Sequence, residues 1–207
     1  MIPYSRQNIS NKDIQEVTKV LKSNYITQGN LVPRFEKKLS KKLNVNYSVV
    51  MNSATSALHI ACLSLGLKEN DILWTVPNTF IASANCAKYC GAEINFVDID
   101  FETGNMSISK LEEKLIAARK KNKLPKIIIP VHFGGQITEQ KKIWNLSKQY
   151  GFKIIEDASH SLGASQNKIP VGNCKWSDIT IFSFHPVKII TTAEGGVATT
   201  NSKKLYH

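Results

Sequence analysis

The sequence predicts an α/β fold, in which helices cover both faces of a mainly parallel sheet to form an α/β/α sandwich. Short apolar runs rich in β-branched residues alternate along the chain with stretches of helical periodicity. That alternation is typical of parallel strands joined by helical crossovers. The chain has 207 residues, of which 42% are hydrophobic, so it is long enough for one sizeable domain with a buried core.

The predicted strands are the apolar runs bounded by turn-forming or charged residues. They comprise residues 47–51, 72–76, 93–97, 126–131, 153–156, 179–183 and 196–200. In parallel sheets covered by helices, ligands bind outside the carboxyl ends of the strands. The residues that directly follow each strand are therefore the first candidates for a functional site.

Helical periodicity fills the intervals between the strands. The predicted helices are 11–21 after a cap at Ser10 or Asn11, 55–65 before Gly66, a helix that begins after Ser107, and 136–150 before Gly151. Hydroxyl and amide side chains favour helix starts, and glycine favours helix ends, because each suits the backbone conformation there.

The net charge of +11 at pH 7 raises the alternative of a nucleic-acid partner. However, the basic residues are nearly all lysines scattered along the chain, and the densest cluster, residues 119–123, stands at a predicted helix end. Cations there suit the helix dipole and solvent. We therefore expect no nucleic-acid partner, and an anionic small-molecule substrate explains the excess charge equally well.

The cysteines and the apolar segments point to an ordinary cytoplasmic protein. Cys62, Cys86, Cys90 and Cys174 form no CxxC pair, so we expect core residues and no metal site. No apolar run approaches the roughly 20 residues that span a bilayer. The N-terminal residues lack the apolar stretch of a signal peptide, which predicts a cytoplasmic location and no membrane partner.

Candidate functional residues follow three of the predicted strands. Residues 52–57, Asn-Ser-Ala-Thr-Ser-Ala, open directly into a helix, where N–H groups and hydroxyls can bind a phosphate or form an ordinary cap. Asp157 ends a buried strand, where a carboxylate needs a positive partner, unless it caps a helix. Lys188 follows strand 179–183. Burial can keep its amine partly neutral, as nucleophilic attack requires, and a solvated lysine is the alternative.

Two further segments follow strands. Phe80 lies near the start of the helix expected after strand 72–76, where it is either a core residue or part of a binding site. Gly134 and Gly135 come soon after strand 126–131. Because glycine has no side chain, we expect the backbone there to approach a ligand closely.

Together these segments resemble the DegT/StrS family of sugar aminotransferases, which have the aspartate-aminotransferase fold (fold type I) of PLP-dependent enzymes. The motifs that carry the resemblance are Tyr-Ile-Thr-Gln-Gly at 25–29, Phe-Glu at 35–36, Asn-Ser-Ala-Thr-Ser-Ala-Leu at 52–58, Glu-Asp-Ala-Ser-His at 156–160 and Ser-Phe-His-Pro-Val-Lys at 183–188. Five motifs in the family's order and at compatible spacing make the resemblance specific.

The resemblance implies pyridoxal 5'-phosphate (PLP) as the cofactor and Lys188 as the catalytic Schiff-base lysine, which also moves the substrate proton. The other implied cofactor residues are Asp157 at the pyridine nitrogen, Ala54, Thr55 and Ser183 at the phosphate, Phe80 against the ring and His160 beside it. A hydrogen-bonded structural histidine is the alternative for His160. Implied substrate-binding residues are Tyr25, Thr27, Gly29 and His185, the last of which could instead only shape its turn.

Within the family, one segment narrows the implied reaction. Residues 191–196 read Thr-Thr-Ala-Glu-Gly-Gly, with Ala193 where many members have glycine. This form resembles the branch that moves an amino group from L-glutamate to C4 of a UDP-4-keto-6-deoxy-N-acetylhexosamine, in a pseudaminic acid type pathway for cell-surface polysaccharide. The alternatives are another nucleotide 4- or 3-keto sugar, a sugar dehydratase, which would carry histidine in place of Lys188, and a non-catalytic binding or regulatory protein.

The resemblance also implies how the chain is organised. Family members have a small C-terminal domain and form homodimers with shared active sites. We therefore expect residues 1–207 to comprise the N-terminal segment and most of the PLP-binding large domain, without the small C-terminal domain. The expected partners are a UDP-keto-sugar, L-glutamate and a second subunit.

Overall fold

A seven-stranded sheet organises the chain. In the computed structural model, which describes residues 2–3 and 5–207, the strands are β1 (Tyr47–Met51), β2 (Ile72–Thr75), β3 (Glu93–Phe96), β4 (Ile127–Ile128), β5 (Lys153–Asp157), β6 (Ser165–Gln166), β7 (Ile169–Pro170), β8 (Ile179–Ser183) and β9 (Gly196–Thr200). The sheet has the order β1-β9-β8-β5-β4-β2-β3, and β6 and β7 form a separate hairpin.

The sheet is mainly parallel, as predicted. The strands from β8 through β5, β4 and β2 to β3 are parallel to their neighbours. Strand β9 runs antiparallel to both β8 and β1. The carboxyl ends of β5 and β8 therefore lie at the same edge of the sheet, beside the start of β9.

Helices cover both faces of the sheet. They are α1 (Asn11–Leu21), α2 (Leu31–Leu43), α3 (Ala54–Ser64), α4 (Ala82–Tyr89), α5 (Ile108–Lys120), α6 (Gln140–Tyr150) and α7 (Lys203–Tyr206). Ile155 packs in a core with Leu58 of α3, whereas its neighbour Ile154 packs in another core with Leu111 of α5. Because successive strand residues point to opposite faces, one strand supplies both cores, and the predicted α/β/α sandwich is confirmed.

Local sequence signals set several element ends. Ser10 caps α1 in a reciprocal capping box with Asp13, whose pKa is lowered by its hydrogen bonds to Ser10. Gly151 ends α6 in the left-handed conformation, as its position predicts.

Cys62 and Cys86 are buried core residues, and the cysteines are free thiols. Among the residues that the structure describes, no helix is long and apolar enough to cross a membrane.

Two predicted boundaries were wrong. The strand expected over 126–131 is regular only at Ile127–Ile128, because Pro130 has no N–H to continue the ladder. The helix expected from residue 136 begins at Gln140. Gln136 has an extended backbone, and the Thr138 N–H donates to the buried His132 side chain rather than to a helical carbonyl.

Candidate active site

A cavity of about 470 Å³ lies at the carboxyl edge of the parallel strands. Ala54 and Thr55 reach it from the start of α3, Asp157 from the end of β5 and Ser183 from the end of β8, and Lys188 closes one side. These residues are far apart in the sequence. They meet because parallel strands end at the same edge, as the position of the motifs predicted.

The first turn of α3 forms one end of the cavity. The N–H groups of Ala54 and Thr55 are the first two of the helix, and such groups have no intrahelical acceptor. Ser53 caps the helix by accepting a hydrogen bond from the Ser56 N–H at 3.1 Å. Gly196 packs directly beneath, where an added Cβ would lie 2.4 Å from the nitrogen of Ala54. Only glycine allows this approach.

Asp157 presents a buried carboxylate to the cavity. The side chain is 5% exposed. Its Oδ2 accepts from the Ser83 hydroxyl at 2.6 Å, and its Oδ1 accepts from the hydroxyl and the N–H of Ser159 at 2.6 and 3.1 Å. Within residues 2–3 and 5–207, no lysine, arginine or histidine forms an ion pair with it. A turn rather than a helix follows β5, so Asp157 is not a helix cap, and its carboxylate lines the cavity.

Lys188 and His160 line the same cavity and lie in contact with each other. The Nζ of Lys188 is 2.9 Å from Nε2 of His160. Burial lowers the pKa of the Lys188 amine, and the negative charge of Asp157 opposes that shift. Burial and then the charge of Lys188 lower the pKa of His160, again opposed by Asp157. Lowered pKa values favour a neutral, nucleophilic amine.

The remaining predicted residues divide into two groups. Phe80 and His185 line the cavity, although Phe80 precedes α4 and is 72% exposed. By contrast, Tyr25, Thr27 and Gly29 are not among the lining residues of the described chain. Gly29 packs against Tyr25 within the same loop: an added Cβ on Gly29 would lie 3.3 Å from Tyr25. Their substrate-binding role stays a prediction.

Sequence reasoning missed some residues around the cavity. Ser159 had a detectable signal, because Asp-x-Ser is a common turn in which the carboxylate accepts from the backbone two residues later. Ser83, within α4, had no such signal. At Gly135 an added Cβ would meet the His160 carbonyl oxygen at 3.0 Å, so the lack of a side chain there permits close packing of the chain on itself. The close approach of Gly134 and Gly135 to a ligand stays a prediction.

Comparison with known proteins agrees with this geometry. A model described as the DegT/DnrJ/EryC1/StrS aminotransferase family matches residues 7–207. The UDP-4-amino-4,6-dideoxy-N-acetyl-beta-L-altrosamine transaminase of Campylobacter jejuni subsp. jejuni serotype O:23/36 (strain 81-176) is 45% identical over 205 residues. That alignment covers 99% of this chain and 53% of the relative.

Solved structures of aminotransferases are also similar to this chain. Helicobacter pylori PseC, an aminotransferase involved in the biosynthesis of pseudoaminic acid, superposes with a TM-score of 0.89 at 32% identity, over 99% of this chain and 53% of that chain. The putative sugar aminotransferase Spr1654 from Streptococcus pneumoniae, in its PLP form, superposes with a TM-score of 0.86 at 30% identity, over 99% of this chain and 54% of that chain.

The chain spans about half the length of the curated relatives it matches. The family match nevertheless runs from residue 7 to residue 207. It includes every cavity residue described above. The chain belongs to the DegT/DnrJ/EryC1/StrS aminotransferase family.

Proposed function

We propose that this chain supplies the PLP site and the catalytic lysine of a nucleotide-sugar aminotransferase. The reaction would move an amino group from L-glutamate to C4 of a UDP-4-keto-6-deoxy-N-acetylhexosamine. One observation carries the proposal, namely that Lys188, the carboxylate of Asp157 and the start of α3 all face a single cavity. Each of these groups suits a different part of PLP.

The residues present fit the cofactor. The N–H groups of Ala54 and Thr55, with the hydroxyls of Thr55 and Ser183, suit a phosphate at a helix N-terminus. The carboxylate of Asp157, which has hydroxyl donors but no ion pair in the described chain, suits a protonated pyridine nitrogen. Phe80 at the rim offers an apolar face for the ring. When bound, PLP supplies an electron sink for the carbanion that transamination requires.

The protein's own groups then have distinct tasks. Lys188 would hold the cofactor through its amine, whose neutral, nucleophilic form burial favours. The same amine would accept the α-proton of glutamate and later return a proton to the sugar side. His160 contacts Nζ at 2.9 Å and holds it toward the cavity. Asp157 keeps the proton on the pyridine nitrogen, because a nearby negative charge favours the protonated form.

The choice of sugar is supported by the relatives. The Campylobacter jejuni transaminase is named for a UDP-linked 4-amino-4,6-dideoxy sugar, and the Helicobacter pylori structure for pseudoaminic acid biosynthesis. Segment 191–196 of this chain points to the same branch of the family. L-glutamate as the donor is part of the proposal, as is a cytoplasmic location, which the free buried thiols of Cys62 and Cys86 suit.

We also propose a homodimer with shared active sites. Phe80, which lines the cavity, is exposed, and so are Ile189 and Ile190, which directly follow Lys188 in the sequence. Exposed apolar groups around a polar cavity mark a surface that a partner covers. Residues 1–207 would form the N-terminal segment and most of the large domain, and the small C-terminal domain would lie in the half of the relatives that this chain does not span.

The experiment uses the full-length protein with the variant Lys188→Ala and the matched control Lys37→Ala, an exposed lysine of α2. After incubation with PLP and borohydride reduction, peptide mass spectrometry should find the label on Lys188 in the wild type and control only. The proteins are then offered several UDP- and dTDP-4-keto sugars with L-glutamate, and NMR identifies the product.

We expect C4 amination of the UDP-4-keto-6-deoxy-N-acetylhexosamine by the wild type and by Lys37→Ala, and none by Lys188→Ala. Retained turnover in Lys188→Ala would contradict the assignment of Lys188 as the catalytic lysine. Amination of a different keto sugar alone would favour the alternative of an aminotransferase for another nucleotide 4- or 3-keto sugar. A wild-type protein that binds no PLP would instead favour a binding or regulatory role.

A further inference from the structure

The residue before Asp157 carries a second buried carboxylate. Glu156 is 1% exposed and, as the preceding residue of β5, points to the face of the sheet opposite to Asp157. The Gln140 side-chain amide donates to its Oε1 at 2.5 Å. The hydroxyls of Thr180 and Ser177 donate to its Oε2 at 2.8 and 3.2 Å. Three side chains from two parts of the chain, the start of α6 and residues 177–180, therefore converge on one carboxylate.

A buried histidine faces the same carboxylate. His132 is fully buried, and its Nδ1 accepts from the Thr138 N–H at 3.1 Å. A neutral ring with this acceptor carries its proton on Nε2. In the part of the chain that the structure describes, Nε2 has no hydrogen-bond partner, and it lies 4.0 Å from Oε1 of Glu156. A buried donor without an acceptor is unfavourable and calls for an explanation.

The burial of the Glu156 carboxyl also calls for an explanation. Burial by itself would raise the pKa of this carboxyl, but His132, Thr180 and Gln140 together lower it. Taking a carboxylate out of water costs several kcal/mol, and apolar residues of similar volume often replace buried ion pairs without loss of stability. Stability alone is therefore a weak reason for this arrangement. Instead, a carboxylate that accepts hydrogen bonds from several donors fixes the positions of those donors, because each hydrogen bond has a preferred direction.

The pair is connected to the cavity through the main chain of Asp157. The Asp157 N–H donates to the Pro130 carbonyl at 3.0 Å, and the His132 N–H donates to the Asp157 carbonyl at 3.0 Å. The next residue, Phe133, lines the cavity, with its ring centroid 6.5 Å from that of His160. The segment that carries His132 thus holds the backbone of Asp157 and forms one wall of the site.

We propose that Glu156 and His132 are positioning residues, which anchor segment 130–138 to β5 and thereby fix the Asp157 carboxylate and the Phe133 ring at the cavity. The inference rests on the proposed function, because it takes the cavity to be the PLP site. Neither side chain is among the cavity-lining residues of the described chain. Their effect on the cofactor is therefore indirect.

The test uses the full-length protein and two variants. His132→Asn keeps an acceptor near the position of Nδ1 for the Thr138 N–H and removes the group that faces Glu156. Glu156→Gln removes the charge at nearly constant volume. The matched control is Glu113→Gln, whose side chain is 66% exposed on α5. Three quantities are measured, namely the Kd for PLP, the pH midpoint of the visible absorbance of bound PLP, and the unfolding temperature of the PLP-free protein.

We expect the PLP Kd to rise about tenfold in His132→Asn, in the range that loss of an outer-shell partner gives at metal sites. The pH midpoint should also move in His132→Asn, and both quantities should stay unchanged in Glu113→Gln. If His132→Asn lowers only the unfolding temperature, the pair is structural and the proposal is wrong. Glu156→Gln, where it folds, must agree with His132→Asn. A wild-type protein without PLP binding would instead overturn the proposed function itself.

Discussion

The amine of Lys188 and the imidazole of His160 lie 2.9 Å apart, between Nζ and Nε2. Two basic groups in contact oppose each other's protonation. Burial lowers the pKa of both, and the nearby Asp157 carboxylate acts in the opposite direction on both. The protonation of Lys188 therefore depends on a balance between burial and one negative charge.

This balance predicts how acylation of Lys188 depends on pH. In the PLP-free full-length protein, the acetylation rate of Lys188 should have a pH midpoint below that of an ordinary lysine, because burial disfavours the charged amine. Asp157→Asn should move the midpoint lower still, since the lost carboxylate favours the charged form. Peptide mass spectrometry measures the rate. Asp98→Asn, at an exposed aspartate, is the control, and a midpoint that rises in Asp157→Asn would contradict the prediction.

Gly196→Ala should distort the end of the cavity that the first turn of α3 forms. Its Cβ would lie 2.4 Å from backbone atoms of Ser53 and Ala54, which cannot rotate away. We expect a loss of about 1–3 kcal/mol in the free energy of unfolding, as in other overpacked sites, together with weaker PLP binding. Urea unfolding and PLP titration measure the two effects.

Gly151→Ala is the matched control for that variant. Gly151 has a φ of +83° and no atom within 4 Å of an added Cβ, so only the backbone strain of about 1–2 kcal/mol applies. PLP affinity should be unchanged. Equal losses of PLP affinity in the two variants would show that the contact with α3 is not the cause.

Ser83→Ala should destabilise the PLP-free protein. The buried Ser83 hydroxyl donates to Asp157 at 2.6 Å, and hydrogen bonds to charged groups contribute about 1.5–3 kcal/mol. Ser159→Ala should cost less, because the Ser159 N–H still donates to the same carboxylate. Ser64→Ala, which removes a bond to a neutral carbonyl, is the control. Denaturant unfolding ranks the variants, and a Ser64→Ala loss as large as that of Ser83→Ala would refute the argument.

Ala193→Gly should raise stability slightly. Ala193 has a φ of +65°, which costs a non-glycine residue about 1–2 kcal/mol, whereas glycine loses about 0.4–1 kcal/mol through the entropy of the unfolded chain. The first of these terms is the larger. Ala193→Val should lower the unfolding temperature clearly, because a β-branched side chain fits this backbone region poorly. Equal unfolding temperatures for the two variants would show that the backbone at residue 193 is not strained.

Much of the fold could be predicted because its signals are local. Apolar β-branched runs marked strands such as Ile179–Ser183, and caps at Ser10 and Gly151 marked helix ends. The antiparallel placement of β9 between β8 and β1 could not be predicted. Strand pairing depends on contacts between distant segments, and no local pattern in 196–200 distinguishes a parallel from an antiparallel partner.

For the candidate site, the sequence alone determined which residues end or follow strands, namely Asp157, Ser183 and Lys188, and the helix start at residues 54–55. Their convergence at one edge follows from parallel strand geometry. Only the tertiary structure decided which groups are hydrogen-bonded to one another, namely Lys188 with His160 and Ser83 with Asp157. The physical reason is that a hydrogen bond requires atoms within about 3 Å, and side-chain packing across layers sets that distance.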